Sequence, residues 1–503
     1  MNNNKTNKRP ASPPANQPPS QKQHTTTAIN NAITTDKAER MASRFDKWKR
    51  PKLSQAYLSY STNILFQELE VDYVIGESHK EFLPDSSSGP AAIIRMFGVT
   101  KEGHSVCCNV HGFEPYFYAS CPKGTGPDDI ARFHKILEGR MREANRNSNV
   151  PKFVRRVEMV LDKSIMDSQQ QGPRPFLKIV VALPTMVADC CRILDRGIQI
   201  DGLDMKNFVT YEGSILFAIR FMIDCKIVGG NWIEVLAGKY KKTSKSLSYY
   251  GELFKLAPFR ILSFDIECPV RGKQVPEATL DPVIQVANMV TLQGESEPLI
   301  RNVMTLKSCS PIDGVDVMSF DTEREVLLAW RDLIREVDPD IIIGFNICRF
   351  DLPHLIKRAE VLGIADFPIL GRVRNRMVCV SDATFFSRKY GIMKSKEVTM
   401  EGRVQIDLLQ AMHRDHLLES YKLNDVSAHF LGEQDAYLPQ QLLDKLMYIH
   451  NYVEMARVTG VPISCLLSKG QSIKVTSQRL SKAKELNLVI PTAEQPGTKT
   501  RNV

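Results

Sequence analysis

Two acids at alternate positions, Asp265 and Glu267, stand in the run Ile261-Leu-Ser-Phe-Asp-Ile-Glu-Cys268. A β-strand sends successive side chains to opposite faces, so Leu262, Phe264 and Ile266 share one face and Ser263, Asp265 and Glu267 the other. Same-face neighbours on a strand lie ~6.5–7 Å apart. Carboxylates that close repel, and enclosure neutralises one of them unless a cation keeps both charged. An oxygen donor set of this kind suits Mg²⁺ or Mn²⁺. The same pattern also describes an edge strand with two solvated acids, and Asp-x-Glu alone does not separate the two.

A third acid stands where ligands gather in α/β sheets. Ile341-Ile-Ile-Gly-Phe-Asn346 is an unbroken apolar run that predicts a buried strand. Phe350-Asp-Leu-Pro353 follows as a helix start, with Asp351 at the cap or first turn and Gly363 as the stop. Asp351 thus sits at a strand-to-helix junction, the common position of a ligand site, although an N-cap there needs no chemistry. Asn346 either serves the site or bonds the loop backbone. Gly402 to Leu409 reads as another strand-to-helix passage, with Asp407 as its cap.

The elements that must position these residues follow from periodicity. Val283 to Leu292 and Leu299 to Leu306 continue the acid-bearing strand as a meander. Glu323 to Val337 is an amphipathic helix with Val326, Leu327, Trp330, Leu333 and Ile334 on one face, and Asp338-Pro-Asp340 turns the chain back. The segment from Cys379 to Lys396 predicts a hairpin or flexible loop. Upstream, Leu65 to Ile75, Ala91 to Val99, Ser105 to Val110, Phe176 to Leu183 and Ile215 to Ile223 read as strands and residues 127–146 as a helix. His111 to Tyr118 is dense in aromatics, which either pack a core or stack single-stranded bases. The fold class is α/β and α+β, in several domains.

The charge is unevenly placed. Of the net +9, +8 resides in the first 54 residues, which hold eleven Lys and Arg against three acids; the other 449 hold 55 against 54. Any nucleic-acid surface on the folded body is therefore a local patch. The Asn-, Pro- and Gln-rich start predicts a disordered basic tail, whose Lys8-Arg-Pro10 and Lys47 to Lys52 read as nuclear-import signals or as solvating charge. Eleven cysteines without a Cys-x-x-Cys argue against a zinc module or disulfide framework. No apolar run is long enough to span a bilayer, so no membrane partner is expected.

Phe264-Asp-Ile-Glu267 and Gly344-Phe-Asn-Ile-Cys-Arg-Phe-Asp351 together resemble the first two exonuclease motifs of family B DNA polymerases. Phe97-Gly-Val-Thr100, His111-Gly-Phe-Glu-Pro-Tyr-Phe-Tyr118, Ala428-His-Phe-Leu-Gly-Glu-Gln434 and Glu454-Met-Ala-Arg-Val-Thr-Gly-Val-Pro462 are similar to the delta class of that family. The resemblance covers residues 63 to 487. It implies an RNase H-like 3′→5′ proofreading exonuclease domain preceded by a mixed α+β N-terminal domain, in a replicative nuclear enzyme. It implies two divalent ions, Mg²⁺ or Mn²⁺, held by Asp265, Glu267, Asp351 and Asp435, with Asn346 and Phe350 positioning a single-stranded DNA 3′ end. It also implies the other polymerase delta subunits as partners of the full-length relative.

The resemblance breaks in two places. The family carries its third exonuclease carboxylate as Tyr-x-x-x-Asp on a helix, whereas here Asp435-Ala-Tyr-Leu-Pro439 joins directly to Gly432-Glu-Gln434 and Leu431 replaces the tyrosine. Tyr421 and Asp425 form a second Tyr-x-x-x-Asp pair, though their flanks match another segment of the family. Palm motifs such as Asp-x-x-Ser-Leu-Tyr-Pro-Ser are not found, so polymerisation is expected of the full-length relative. The expected layout is a tail (1–54), an N-terminal domain (55–250), an exonuclease domain with an incomplete third motif (251–450) and a helical segment leading toward a palm (451–503). Weak or no exonuclease activity is expected. The alternative is a catalytically impaired module that binds DNA or a partner subunit.

Overall fold

A computed structural model describes residues 43–44, 46–52, 62–77, 89–167, 172–198, 207–237, 247–249, 256–269, 271–272, 275–373, 375–387, 391–432 and 438–492. Residues 50–503 form one compact unit and 1–49 another. Among the described residues of the larger unit there are three sheets of five or six strands, a two-stranded hairpin and a helical segment.

The first sheet is antiparallel, in the spatial order Ser105–Val110, Pro90–Thr100, Ile64–Glu77, Trp232–Val235 and Leu247–Tyr249. Its long central strand has a bulge at Glu68 to Glu70. The second sheet runs Leu488–Val489, Val154–Ser164, Arg174–Val181, Tyr116–Ser120, Thr210–Tyr211. Helices Pro127–Ala144 and Thr185–Arg196 cover one face of it, packing Phe133, Leu137, Cys190 and Leu194 against Phe117, Leu177 and Ile179. On the other face Tyr116 and Tyr118 are buried, and Lys178 and Arg220 lie over the Tyr116 ring. The two tyrosines therefore pack a core and offer no exposed stacking platform.

One element differs from the sequence reading. Ile215 to Ile223, expected as a strand, overlaps the helix Phe217–Asp224. Six of its eight residues are buried, so neither the period of a helix nor that of a strand is visible in the sequence.

The third sheet carries the acids. Its order is Asp316–Phe320, Ile300–Leu306, Gln285–Leu292, Arg260–Glu267, Ile341–Gly344, Val404–Asp407. The expected meander is present as antiparallel pairs, with the last two strands added in parallel. The helix Glu323–Val337 is closed by a capping box between Thr322 and Glu325 and packs Trp330 against Phe264, ring centres 5.0 Å apart. The opposite face contributes Ile261, Ile343 and Ile406 to a core shared with Phe66 and Ile94 of the first sheet and with Leu442 and Tyr452 of the C-terminal helices. The hairpin Cys379–Ser387 with Gly391–Thr399 forms as expected.

The turn Asp338-Pro-Asp340 is the centre of an ion-pair cluster. Asp338 Oδ1 accepts from Arg372 Nε at 2.9 Å and from Arg403 Nη1 at 2.7 Å, and its Oδ2 from Arg50 Nε at 2.7 Å. Arg50 also reaches Asp340 at 2.6 Å. Burial pushes the Asp338 carboxyl up, yet the three guanidinium groups outweigh it and hold the group well below the usual range. The basic tail was expected to extend to residue 54, but Arg50 is already anchored in the folded body.

Candidate functional site

Asp265 and Glu267 emerge near the end of their strand, both exposed, with Ile266 buried between them. Along one edge the strand Gln285–Leu292 pairs over the full length, placing Asp265 opposite Ala287 and Glu267 opposite Gln285. Along the other edge the parallel pairing with Ile341–Gly344 stops at Ser263 and Ile343. Beyond that point the Ile266 N–H donates to a side chain instead, Asp351 Oδ1, at 3.2 Å.

Gly344 lets the two backbones stay close just past their last pair. A Cβ at this position would lie 2.7 Å from the Phe264 carbonyl oxygen and 2.3 Å from Ile347 Cγ2. Asn346 follows in the left-handed region, φ 71°, which asparagine tolerates better than most residues. Its N–H donates to Asp407 Oδ1 at 2.9 Å, and Cys348 N–H donates to Oδ2 at 3.1 Å. The Asp407 carboxylate also caps its own helix, accepting from Leu409 N–H at 3.1 Å and Gln410 N–H at 3.5 Å. One buried acid thus fixes both the start of Leu408–Asp415 and the loop leading to Asp351. The sequence indicated only the cap, because a bond across some sixty residues has no local signature.

Asp351 is the first residue of the helix Asp351–Val361 and is 1 % exposed. That helix is tied down by Arg358, whose Nε and Nη2 donate to Glu323 at 2.8 and 2.9 Å. The Asp351 and Asp265 carboxyl groups lie close enough for each to act on the other's proton affinity. Burial first, and then the Asp265 charge, push the Asp351 carboxyl up, with the Ile266 N–H opposing. Desolvation of its carboxyl group and the Glu267 charge push Asp265 up as well. Two acids that close need either a proton or a cation between them.

An all-oxygen set of Asp265, Glu267 and Asp351 matches a hard divalent ion. Among the described residues no group of three or more His, Cys, Asp or Glu is already gathered in a metal-holding arrangement. The structure thus brings Asp265 and Asp351 near each other with Glu267 alongside, and leaves closure of the donor set to further groups.

Asn346 and Phe350 lie half-buried on the loop before Asp351, and the Phe350 ring centre is 5.4 Å from that of His354. Asp435 lies outside the described residues. The helix Leu423–Leu431 ends at Gly432, φ 76°, and helix resumes at Leu438–Lys445. The second Tyr-x-x-x-Asp pair does not share a helix face. Tyr421 precedes the helix, stacks on His413 at 3.8 Å and donates to the His416 carbonyl at 2.9 Å, while Asp425 accepts from Ser420.

Comparison with known proteins adds to this geometry. Residues 208–426 match the exonuclease domain of DNA polymerase family B. The DNA polymerase delta catalytic subunit of Glycine max is 65 % identical over 509 residues, an alignment covering 92 % of this chain and 47 % of that protein. That of Arabidopsis thaliana is 63 % identical over 506 residues, covering 92 % and 46 %. That of Mesocricetus auratus is 40 % identical over 502 residues, covering 90 % and 45 %. The chain spans about half the length of these relatives. The solved family B DNA polymerase of the hyperthermophilic archaeon Pyrobaculum calidifontis superposes with a TM-score of 0.58 at 22 % identity, covering 86 % of this chain and 52 % of that one, which shows the shared fold.

Proposed function

With residues 208–426 an exonuclease domain of DNA polymerase family B and the chain a relative of DNA polymerase delta catalytic subunits, we propose that it carries the proofreading part of a replicative nuclear enzyme. In this reading it takes a single-stranded DNA 3′ end and hydrolyses the terminal phosphodiester slowly. The observation that supports it most is the hydrogen bond from the Ile266 N–H to the buried Asp351 carboxylate, which sets the third acid against the strand residue between Asp265 and Glu267. A divalent ion, Mg²⁺ or Mn²⁺, held by Asp265, Glu267 and Asp351 supplies compensation for their charge and Lewis-acid stabilisation of the phosphoryl oxygens. Asp265 and Glu267 present their carboxylates on the exposed side, where a scissile phosphate has access. Phe350 stacks on the terminal base, Asn346 orients it, and Asp407 holds the loop that bears both.

Turnover is slow in this reading because Leu431 stands where the family has its tyrosine and ends its helix before Asp435 is reached. The same observation favours a second reading, a module that binds DNA or another polymerase delta subunit without cleaving. Thermal unfolding in rising Mn²⁺ tests the first. A midpoint that climbs with Mn²⁺ in the native chain, and stays flat in Asp265→Asn/Glu267→Gln, supports a divalent site. A flat response in both leaves only the binding module.

A further inference from the structure

On one side, the strand that carries Asp265 and Glu267 is paired along its whole length with Gln285–Leu292. On the other side the ladder stops at Ser263, and two side-chain bonds follow it. One runs from the Ile266 N–H to Asp351 Oδ1. The other joins Cys268 Sγ and His354 Nε2 at 3.4 Å. The two bonds fall on either side of Glu267 in the sequence, and both end on the helix that begins at Asp351.

His354 stands three residues after Asp351, on the same helix face, and its ring is the one that meets Phe350. Its Nε2 also lies 3.3 Å from the Asp281 carbonyl oxygen. A carbonyl only accepts, so Nε2 carries the proton and donates to both partners. Asp281 is itself braced, its carboxylate accepting from Glu277 N–H at 2.7 Å and pairing with Arg271 at 2.8 Å. Arg358, one turn beyond His354, donates to the Ala278 carbonyl at 3.2 Å. Two successive turns of the helix thus grip residues 277–281 and the strand end at Cys268. His354 and Cys268 are 5 % and 7 % exposed, so little water competes for these bonds. A buried imidazole costs stability unless its N–H is met, which sets His354 apart from an apolar filler.

We propose that His354 is a positioning residue for the acid site: it clamps the end of the strand to the first turn of the helix and so fixes the separation of the Glu267 and Asp351 carboxylates. The inference rests on those acids forming a divalent site. A hard ion holds its oxygens within narrow limits, ~2.0–2.1 Å for Mg²⁺, so slack between two of its ligands lowers affinity. His354 is not itself a ligand. It acts through Cys268, the neighbour of Glu267, and through one turn of helix backbone, so both arms of the clamp are short.

The test measures two quantities on the full chain: Mn²⁺ affinity, from the paramagnetic resonance signal of the free ion, and deuterium exchange of the Ile266 amide. His354→Phe keeps a ring against Phe350 and removes the donor. It should weaken Mn²⁺ binding about 10-fold and speed Ile266 exchange by a similar factor. His354→Gln returns an N–H and should lie within about threefold of the native chain in both. Cys268→Ala loosens the clamp from the strand side without added bulk and should weaken Mn²⁺ about threefold. Ala359→Gly, buried on the same helix but outside the clamp, lowers helix stability and should leave both quantities unchanged. Native values in both His354→Phe and Cys268→Ala overturn the proposal, as does a glutamine variant no better than phenylalanine, or an equal effect of Ala359→Gly. A native chain that takes up no Mn²⁺ overturns the divalent reading instead. Ile266 exchange then decides the clamp by itself, upheld if faster in His354→Phe and restored in His354→Gln, and overturned if unchanged.

Discussion

Asp351 Oδ1 accepts the Ile266 N–H beyond the last pair with the strand Ile341–Gly344. The third acid is thereby hydrogen-bonded into the edge of the strand that carries the first two. The arrangement binds strand and helix together while bringing like charges close, so structure and charge oppose each other at one residue. Asp351→Asn keeps an acceptor for Ile266 and removes a charge. The variant is expected to unfold at the same midpoint as the native chain or higher by a few degrees, and to lose the Mn²⁺ response, as read by thermal melts with and without the ion.

Asp407 touches no acid of the site, yet its carboxylate receives the N–H groups of Asn346, Cys348, Leu409 and Gln410. Asp407→Ala strands these donors in a buried place. It should cost ~2–4 kcal/mol in urea unfolding, with Asp407→Asn intermediate because it keeps one acceptor oxygen. Any cleavage of DNA should fall with it, although the residue sits away from the acids.

Gly344→Ala probes the close approach of the two strands. Its new Cβ meets the Phe264 carbonyl oxygen, a backbone atom that a rotamer change cannot clear. A loss of ~1–3 kcal/mol is expected in chemical denaturation. The Mn²⁺ response should also weaken, since Phe264 immediately precedes Asp265.

Glu68 offers a pH test remote from the site. It is 0 % exposed, one oxygen accepts from Gly230 N–H at 2.6 Å, and the other has no partner. Burial raises its carboxyl to about 8, against the opposing pull of the Gly230 N–H. A raised folded-state value means the favourable protonated form is fully present below the unfolded value of 4.5 and is lost as pH rises through 8. Stability should therefore fall between these limits by up to ~1.4 kcal/mol per pH unit on account of this group. Glu68→Gln should remove that contribution, which unfolding midpoints of both proteins at pH 5 and pH 8 will show.

Five of the six strands of the acid-bearing sheet were legible in the sequence because each has its own period or cap, while the short edge strand Asp316–Phe320 was not. Glu323 to Val337 shows a helical stripe, Ile341 to Gly344 an unbroken apolar run, and Asp265 and Glu267 the alternation that exposes them. Phe217–Asp224 was not legible, since a short helix buried nearly all round has no stripe. The bonds of Asp407 to Asn346, of Asp351 to Ile266 and of Arg50 to Asp338 were not legible either. All three join residues far apart in the chain, and only the fold determines which donor meets which acceptor.

The account rests on the acids of one strand serving a DNA 3′ end. Its most direct test is release of the terminal nucleotide from 3′-labelled single-stranded DNA in Mg²⁺ or Mn²⁺, with a full-length delta relative beside it. The account predicts slow release that requires the divalent ion, runs at least ~100-fold below the relative, and disappears in Asp265→Asn/Glu267→Gln. Release at the relative's rate, or release that survives the loss of both acids, would contradict it.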